Sequence, residues 1–219
     1  MSKFQEYFVQ DQPIEQFLDE VFSRLKISLD QQIGIRAFLA PLQVKDRETY
    51  RHTIRVGLLT LGIAHLMHID QHAMFYAGVL HDVGKVQTPL STLQKTSGWT
   101  DADTLAIRDH VMDGYRLIRD KFDFSAEVIL WHHKFQRAGY PDVLPPPLHE
   151  YSLATQVMIP FYGRLLSLAD TFDALHRVNE KHGPLTGDQI KIKMFEFNPD
   201  QKKLLGELFD NGVFTTVLI

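Results

Sequence analysis

No cysteine occurs in the 219-residue chain. That absence excludes disulfide frameworks, cysteine-ligated zinc and thiol nucleophiles together. Long apolar runs are also missing. The longest, Val56–Ile69 and Tyr151–Gly163, fall short of the ~18 residues a membrane span needs. The opening residues, MSKFQEYFVQDQ, contain no apolar stretch of the kind a secretory signal requires. Neither sign of charge dominates: the net charge is −4 and the pI about 6.2, so no broad nucleic-acid-binding face is expected. Repeats, heptads and charge blocks are absent. The expectation is a cytoplasmic protein with no membrane and no DNA or RNA polymer as partner.

What remains is helical. Residues 14–27 set Phe17, Leu18, Val21, Phe22 and Leu25 on one face at spacings of three and four. A short helix over 31–40 should stop near Pro41. Residues 47–68 make a long helix, and the apolar 71–81 a buried one. Residues 86–99 read as a loop. Thr100 with Asp103 caps a helix over 101–119, and another covers 125–133. Gly139, Pro141 and Pro145-Pro146-Pro147 make 134–158 a long irregular connection, which in a compact domain is often functional. Helices follow over 160–177, over 187–196 behind Thr186 and Gln189, and from Asn198-Pro199 onward. Only Val213–Ile219 suits a strand. The fold class is therefore all-α, a helical bundle with its site between core helices. Residues 1–45 form an N-terminal helical extension and residues 46–219 the functional domain. A span of 45 residues is too short for a preceding sensory domain.

Eleven histidines in a chain without cysteine raise the question of grouping. His52, His81-Asp82, His110, His132-His133 and Asp170 fall on different expected helices, with Glu48 as an outlier. Facing helices build metal sites in bundle cores this way. Imidazoles suit Zn, Fe, Ni and Cu, and carboxylates add hard oxygens. The inventory exceeds one four-coordinate ion and suggests two, with a carboxylate bridging. His81-Asp82 follows the apolar turn Ala77-Gly78-Val79-Leu80, where both would be costly unless paired or metal-bound. Gly84 lets the chain turn, and Lys85 offers a cation to an anionic substrate. His65, His68, His72, His149, His176 and His182 are read as ordinary histidines, and Asp173 as a capping or pairing residue.

In that order the set resembles the metal ligands of HD-superfamily phosphohydrolases, and more closely those of the HD-GYP branch, over about residues 48–210. His81-Asp82-Val83-Gly84-Lys85 resembles the HDxGK motif. Asp109-His110 with Gly114 resembles HPxxG, and His132-His133 with Gly139-Tyr140-Pro141 resembles HHE…GYP. Ile159-Pro160, Arg164, Leu168-Ala169-Asp170 and Phe172-Asp173-Ala174-Leu175 resemble IP…R…ADxFDAL. Phe197-Asn198-Pro199 is similar to FDP.

The resemblance implies a phosphodiesterase acting on a cyclic dinucleotide, chiefly cyclic di-GMP, through a metal-bridging hydroxide. It implies two or three ions, iron or manganese first, with zinc, magnesium and nickel as further candidates. One ion would take His52, His81, Asp82 and Asp170; the second would take Asp82, His110, His132 and His133; Glu48, four residues before His52, would join a third. Asp82 and Lys85 would be catalytic, and Lys85 and Tyr140 would bind substrate. A homodimer or a regulatory protein partner stays open. The chain also departs from the pattern. Lys134 replaces the HHE glutamate, Gln136-Arg137-Ala138 replaces the DG pair, and Asn179-Glu180-Lys181-His182 stands where many members carry RPYR. The alternatives are a non-catalytic HD-fold signalling or interaction module, an HD nucleotidase, and a di-iron oxygenase.

Overall fold

The computed structural model describes residues 11–177 and 183–214, with side chains from residue 16. Its helices are α1 (Asp11–Arg24), α2 (Leu29–Lys45), α3 (Arg47–Met67), α4 (Gln71–Leu80), the single turn α5 (Leu90–Leu93), α6 (Asp101–Arg108), α7 (His110–Ile118), α8 (Asp123–Ile129), α9 (Leu153–Ala174), α10 (Gly187–Phe197) and α11 (Lys202–Asp210). No strand occurs among the described residues, in keeping with an all-α fold. Of the expected strand over 213–219, Val213 and Phe214 form a turn and the rest lies outside the described residues. No described helix is long and apolar enough to cross a membrane.

The bundle is organised around α3, which packs on α2, α4 and α9. Ile54, Leu59 and Ile63 of α3 are fully enclosed, as are Phe75, Val79 and Leu80 of α4 and Leu165, Leu166 and Leu168 of α9. Burial of each such side chain stabilises the fold by roughly 1.5–3 kcal/mol before entropy is counted. Leu18 and Phe22 of α1 and Ile35, Leu39 and Leu42 of α2 belong to the same core. α3 crosses α4 closely at Gly57 and Gly78. A Cβ on Gly78 would lie 2.6 Å from the Gly57 Cα. This approach carries His52 of α3 toward His81 at the end of α4.

Several helix boundaries differ from expectation, and the expected loop over 86–99 holds the helical turn α5. α2 runs through Pro41 to Lys45. One ladder bond is lost there, but Leu39 and Leu42 are buried on either side and hold the helix in register. Asp46 then closes α2, donating its N–H to the Leu42 carbonyl, and opens α3 by accepting the Thr49 N–H. The span 101–119 is two helices, broken at Asp109, so that His110 heads α7. α8 ends at Ile129 rather than 133. α9 starts at Leu153, capped by Ser152, and continues through Pro160. The irregular connection accordingly runs over 130–152.

Candidate metal centre

His52 sits on the second turn of α3, and His81 directly follows α4. Asp82 occupies the bridge region of backbone space at φ −105°, ψ 7°, a conformation frequent in active sites. It leads into a short 3-10 turn, Val83–Val86. That turn lies hard against α7. A Cβ on Gly84 would fall 1.9 Å from the His110 carbonyl oxygen and 2.4 Å from the Gly114 nitrogen. Only glycine permits this contact, and the contact brings His110 to Asp82. His132 and His133 follow α8 in tight turns, with the Trp131 N–H on the Val128 carbonyl and the Lys134 N–H on the Trp131 carbonyl. On a continuous helix, adjacent side chains diverge by about 100°. Ending α8 early lets both imidazoles face one site.

The inward-facing atoms form three overlapping groups, each with donors within 4.8 Å: His52, His81 and Asp170; His81, Asp82 and His132; and His110, His132 and His133. Asp82 stands between the outer two. Its Oδ2 is 3.3 Å from His52 Nε2 and 3.4 Å from His81 Nε2. Its Oδ1 is 3.2 Å from His110 Nε2. Asp170 Oδ1 lies 3.2 Å from His52 Nε2, and His110 Nε2 lies 3.4 Å from His132 Nε2.

The outer ring nitrogens explain this orientation. His81 Nδ1 is 2.7 Å from the Gly78 carbonyl and His132 Nδ1 is 2.5 Å from that of Ile129, while His110 Nδ1 meets the Ile107 carbonyl. His52 Nδ1 meets Asp173 Oδ2 at 2.6 Å. A hydrogen bond at Nδ1 places the lone pair on Nε2, the arrangement that metal-ligating histidines use. Arg55 clamps the same carboxylate, with Nε donating to Asp173 Oδ1 at 2.7 Å and Nη2 to Oδ2 at 3.0 Å.

The donor set fits metal ions. His81 Nε2 and Asp82 Oδ1 are buried without a hydrogen-bond partner among the described residues, a costly state that a cation would relieve. Charge points the same way. Burial opposes ionisation of Asp82, but His81 and Lys85 hold its carboxyl well below the usual range. Burial likewise opposes ionisation of Asp170, and the bond from His52 holds it low. Burial lowers His81. Burial, then the charges of His81 and His110, push His132 down to about 3, and burial, then His132, takes His133 well below its ordinary value. Burial thus favours the neutral form of all three, the form in which imidazole binds metal. His52 differs. Burial and then Arg177 oppose its charge, but bonds to Asp170 and Asp173 raise it to about 9.

The expected residues therefore converge, with one exception. Glu48 is not in these groups; it is half-exposed and accepts from Arg55 Nη2 at 2.8 Å. Lys85 Nζ donates to Asp82 Oδ2 at 2.5 Å. Tyr140 stacks on His133, with ring centroids 4.5 Å apart, and Arg108 covers its ring. Lys134, which replaces the motif glutamate, donates from Nζ to the Pro141 carbonyl at 2.7 Å and ties the Tyr140 loop closed. His72 bonds the Leu25 carbonyl, His149 bonds Asp123 and His176 bonds the Phe172 carbonyl, so the ordinary reading of these three stands. His182 lies outside the described residues.

The groups open into a cavity of about 850 Å³ lined by His52, Lys85, His133, Tyr140, Asp170 and Arg177, among others. Its far wall, Glu196–Asp200, is fastened to α9 by Arg164, whose guanidinium bonds Asp200 at 3.1 and 2.7 Å and Asn198 Oδ1 at 3.0 Å. Sequence reasoning missed Arg55 and Arg177 and read Asp173 only as a capping or pairing residue, without naming its partners. The available signal was helical phase, since Arg55 follows His52, and Asp173 follows Asp170, by three residues.

Fold and site together define a helical bundle that presents paired histidine–aspartate groups to one cavity. Residues 49–175 match the family described as HD domain. A 3′3′-cGAMP-specific phosphodiesterase 2 of Vibrio cholerae is 32% identical over 78% of this chain and 34% of its own length. A cyclic di-GMP phosphodiesterase of Thermotoga maritima is 29% identical over 74% of this chain and 43% of its own. The crystal structure of the L. monocytogenes phosphodiesterase PgpH HD domain superposes with a TM-score of 0.54 at 16% identity, covering 78% of this chain and 86% of that one, and shares the fold. The chain belongs to the HD-domain family, and the relatives named here fit the HD-GYP branch. It spans less than half the length of these two curated relatives.

Proposed function

We propose that the chain is a metal-dependent phosphodiesterase that hydrolyses a cyclic dinucleotide such as cyclic di-GMP or 3′3′-cGAMP. The observation that carries this reading is the division of Asp82, one carboxylate oxygen facing His52 and His81 and the other facing His110. A carboxylate so placed suits a bridge between two cations. His52, His81, Asp82 and Asp170 would hold one ion, and Asp82, His110, His132 and His133 the other. Iron and manganese are the leading candidates for that donor set, with zinc, magnesium and nickel after them. Ions bound there supply Lewis-acid polarisation of a phosphoryl group and water that ionises near neutral pH.

The chain's own residues complete the site. Lys85 reaches the cavity beside Asp82, where its ammonium would hydrogen-bond a non-bridging phosphate oxygen and offset developing charge. The same group, or a water it orients, would protonate the leaving 3′-oxygen. Tyr140, held by His133 and Arg108, would cover one face of the substrate. A cavity of about 850 Å³ is within the size range of small-molecule sites. The names of the relatives support the substrate class. The test is elemental analysis of protein purified without oxygen or chelator, followed by chromatography of cyclic di-GMP and 3′3′-cGAMP reactions. Two ions per chain and a linear dinucleotide or mononucleotide product are expected; a third ion, lost in Glu48→Ala, would show that Glu48 leaves Arg55 to bind metal. Asp82→Ala should lose metal and hydrolysis together, and near-normal activity in that variant would defeat the scheme.

A further inference from the structure

Arg177 follows α9 by three residues and lines the same cavity as His52, Lys85 and Asp170. Its Nε and Nη2 are buried, and among the described residues neither has a hydrogen-bond partner. A guanidinium does not shed its proton in a protein, so the charge stays, and a buried charge without a counter-charge is strongly unfavourable. The two other arginines buried nearby are fully engaged, Arg55 by Asp173 and Glu48 and Arg164 by Asp200 and Asn198. A helix-capping role would put the side chain on carbonyls of the last turn. Those of Thr171, Asp173 and Ala174 instead take backbone N–H groups from Leu175, His176 and Arg177 itself.

The surroundings deepen the puzzle. Arg177 shares the cavity wall with His52 and Asp170. A fixed cation beside a site suited to cations repels them unless an anion lies between. Lys85, another cation lining the cavity, is ion-paired with Asp82. We propose that Arg177 is a further phosphate-binding residue of the cavity beside Lys85, its free Nε and Nη2 donating as a fork to non-bridging oxygens of a phosphodiester held against the metal centre. Planar, two-point recognition of phosphate is what a guanidinium does best. The inference rests on the proposed function for the substrate's identity, but an anion subsite is a property that can be measured by itself.

The experiment compares metal-loaded wild type, Arg177→Gln and Arg177→Lys. Calorimetry reads the affinity for inorganic phosphate, and steady-state kinetics reads KM and kcat for cyclic di-GMP. Because Arg177 makes no protein hydrogen bond through Nε or Nη2, metal content and melting temperature should match wild type in both variants. Arg177→Gln should weaken phosphate binding by about 10- to 100-fold, the range for a lost hydrogen bond between charged groups. It should raise KM by a similar factor with a smaller change in kcat, and Arg177→Lys should recover part of the affinity. Unchanged phosphate affinity in Arg177→Gln overturns the proposal, as does a variant that melts early or loads no metal. If wild type cleaves no cyclic dinucleotide while Arg177→Gln still loses phosphate affinity, the anion subsite stands and the substrate reading alone fails.

Discussion

Asp173 touches no proposed metal position, yet its replacement should change metal binding in two opposite ways. Its carboxylate accepts from His52 Nδ1 at 2.6 Å and from Arg55 at 2.7 and 3.0 Å, and it is almost wholly buried. The first effect is orientation. Asp173 keeps the Nδ1 proton in place and points the Nε2 lone pair at Asp82 and Asp170. In Asp173→Asn an amide can donate to Nδ1 and drive the proton onto Nε2. Loss of such an outer partner costs about 10- to 100-fold in metal affinity. The second effect is proton competition. In the metal-free protein, with burial and Arg177 opposing, bonds to Asp170 and Asp173 raise His52 to about 9. At pH 7 a metal ion must therefore displace a proton, which lowers apparent affinity by up to about 100-fold. Asp173→Asn relieves part of that handicap.

Because the two effects are of similar size at pH 7, a measurement there alone would mislead. The decisive assay is competitive chelator titration of manganese across pH 7 to 9.5. Wild-type affinity should climb by up to about tenfold per pH unit toward pH 9 and then level. Asp173→Asn should climb less and level about 10- to 100-fold lower. Asp173→Ala should also lose about 3 kcal/mol of stability, since Arg55 keeps only the half-exposed Glu48. A variant with the wild-type slope and the wild-type plateau would refute the assignment of Asp173 as the positioning residue of His52.

Two further outcomes follow from the same geometry. The metal-free protein should lose stability as pH rises from 7 to 9. The folded pKa of His52 lies above its unfolded value, so its contribution is complete below about 6.5 and disappears as pH passes 9, at up to about 1.4 kcal/mol per unit; denaturant titrations at pH 7, 8 and 9 read it, and a flat or rising profile contradicts the His52–Asp170–Asp173 arrangement. Gly84→Ala places a methyl 1.9 Å from the His110 carbonyl. The neighbour is helix backbone, not a flexible side-chain end, so unfolding free energy should fall by about 3 kcal/mol or more. Metal binding by His110, His132 and His133 should weaken with it, and wild-type stability in urea would show that the turn and α7 are not locked together.

How much of this was legible in the sequence depended on where the information resides. α3 and α4 follow apolar runs and stand where periodicity places them. The misplaced boundaries differ in cause: at Pro41 packing outweighed a local breaker, whereas at Leu153 the local cap Ser152 starts the helix. Pro41 is carried inside α2 by the burial of Leu39 and Leu42. α8 ends about one turn early, and the two imidazoles after it reach one site. The ligand set was readable because its members are distinctive residue types in a fixed order, two of them adjacent pairs. The outlying Glu48 shared helical phase with His52, but phase names a face and not a partner, and Arg55 took it.

The same limit explains the residues that were missed. Arg55, Asp173 and Arg177 are common residue types whose meaning lies in what they touch, or do not touch, across the bundle. Asp173 is a capping residue or a positioning residue depending on a contact with a position 121 residues away. Arg177 becomes informative only when its buried nitrogens are found without partners. Composition cannot register an unmet hydrogen bond. The centre thus separates into ligands, which chemistry restricts to a few residue types and which a sequence can announce, and the surrounding charges, whose types are free and whose roles follow from geometry. Substrate recognition belongs to the second kind, so the departures from the family pattern at Lys134, Gln136–Ala138 and Asn179–His182 do not by themselves decide which dinucleotide is bound; the charges lining the cavity, Arg177 foremost, are where that discrimination should be sought.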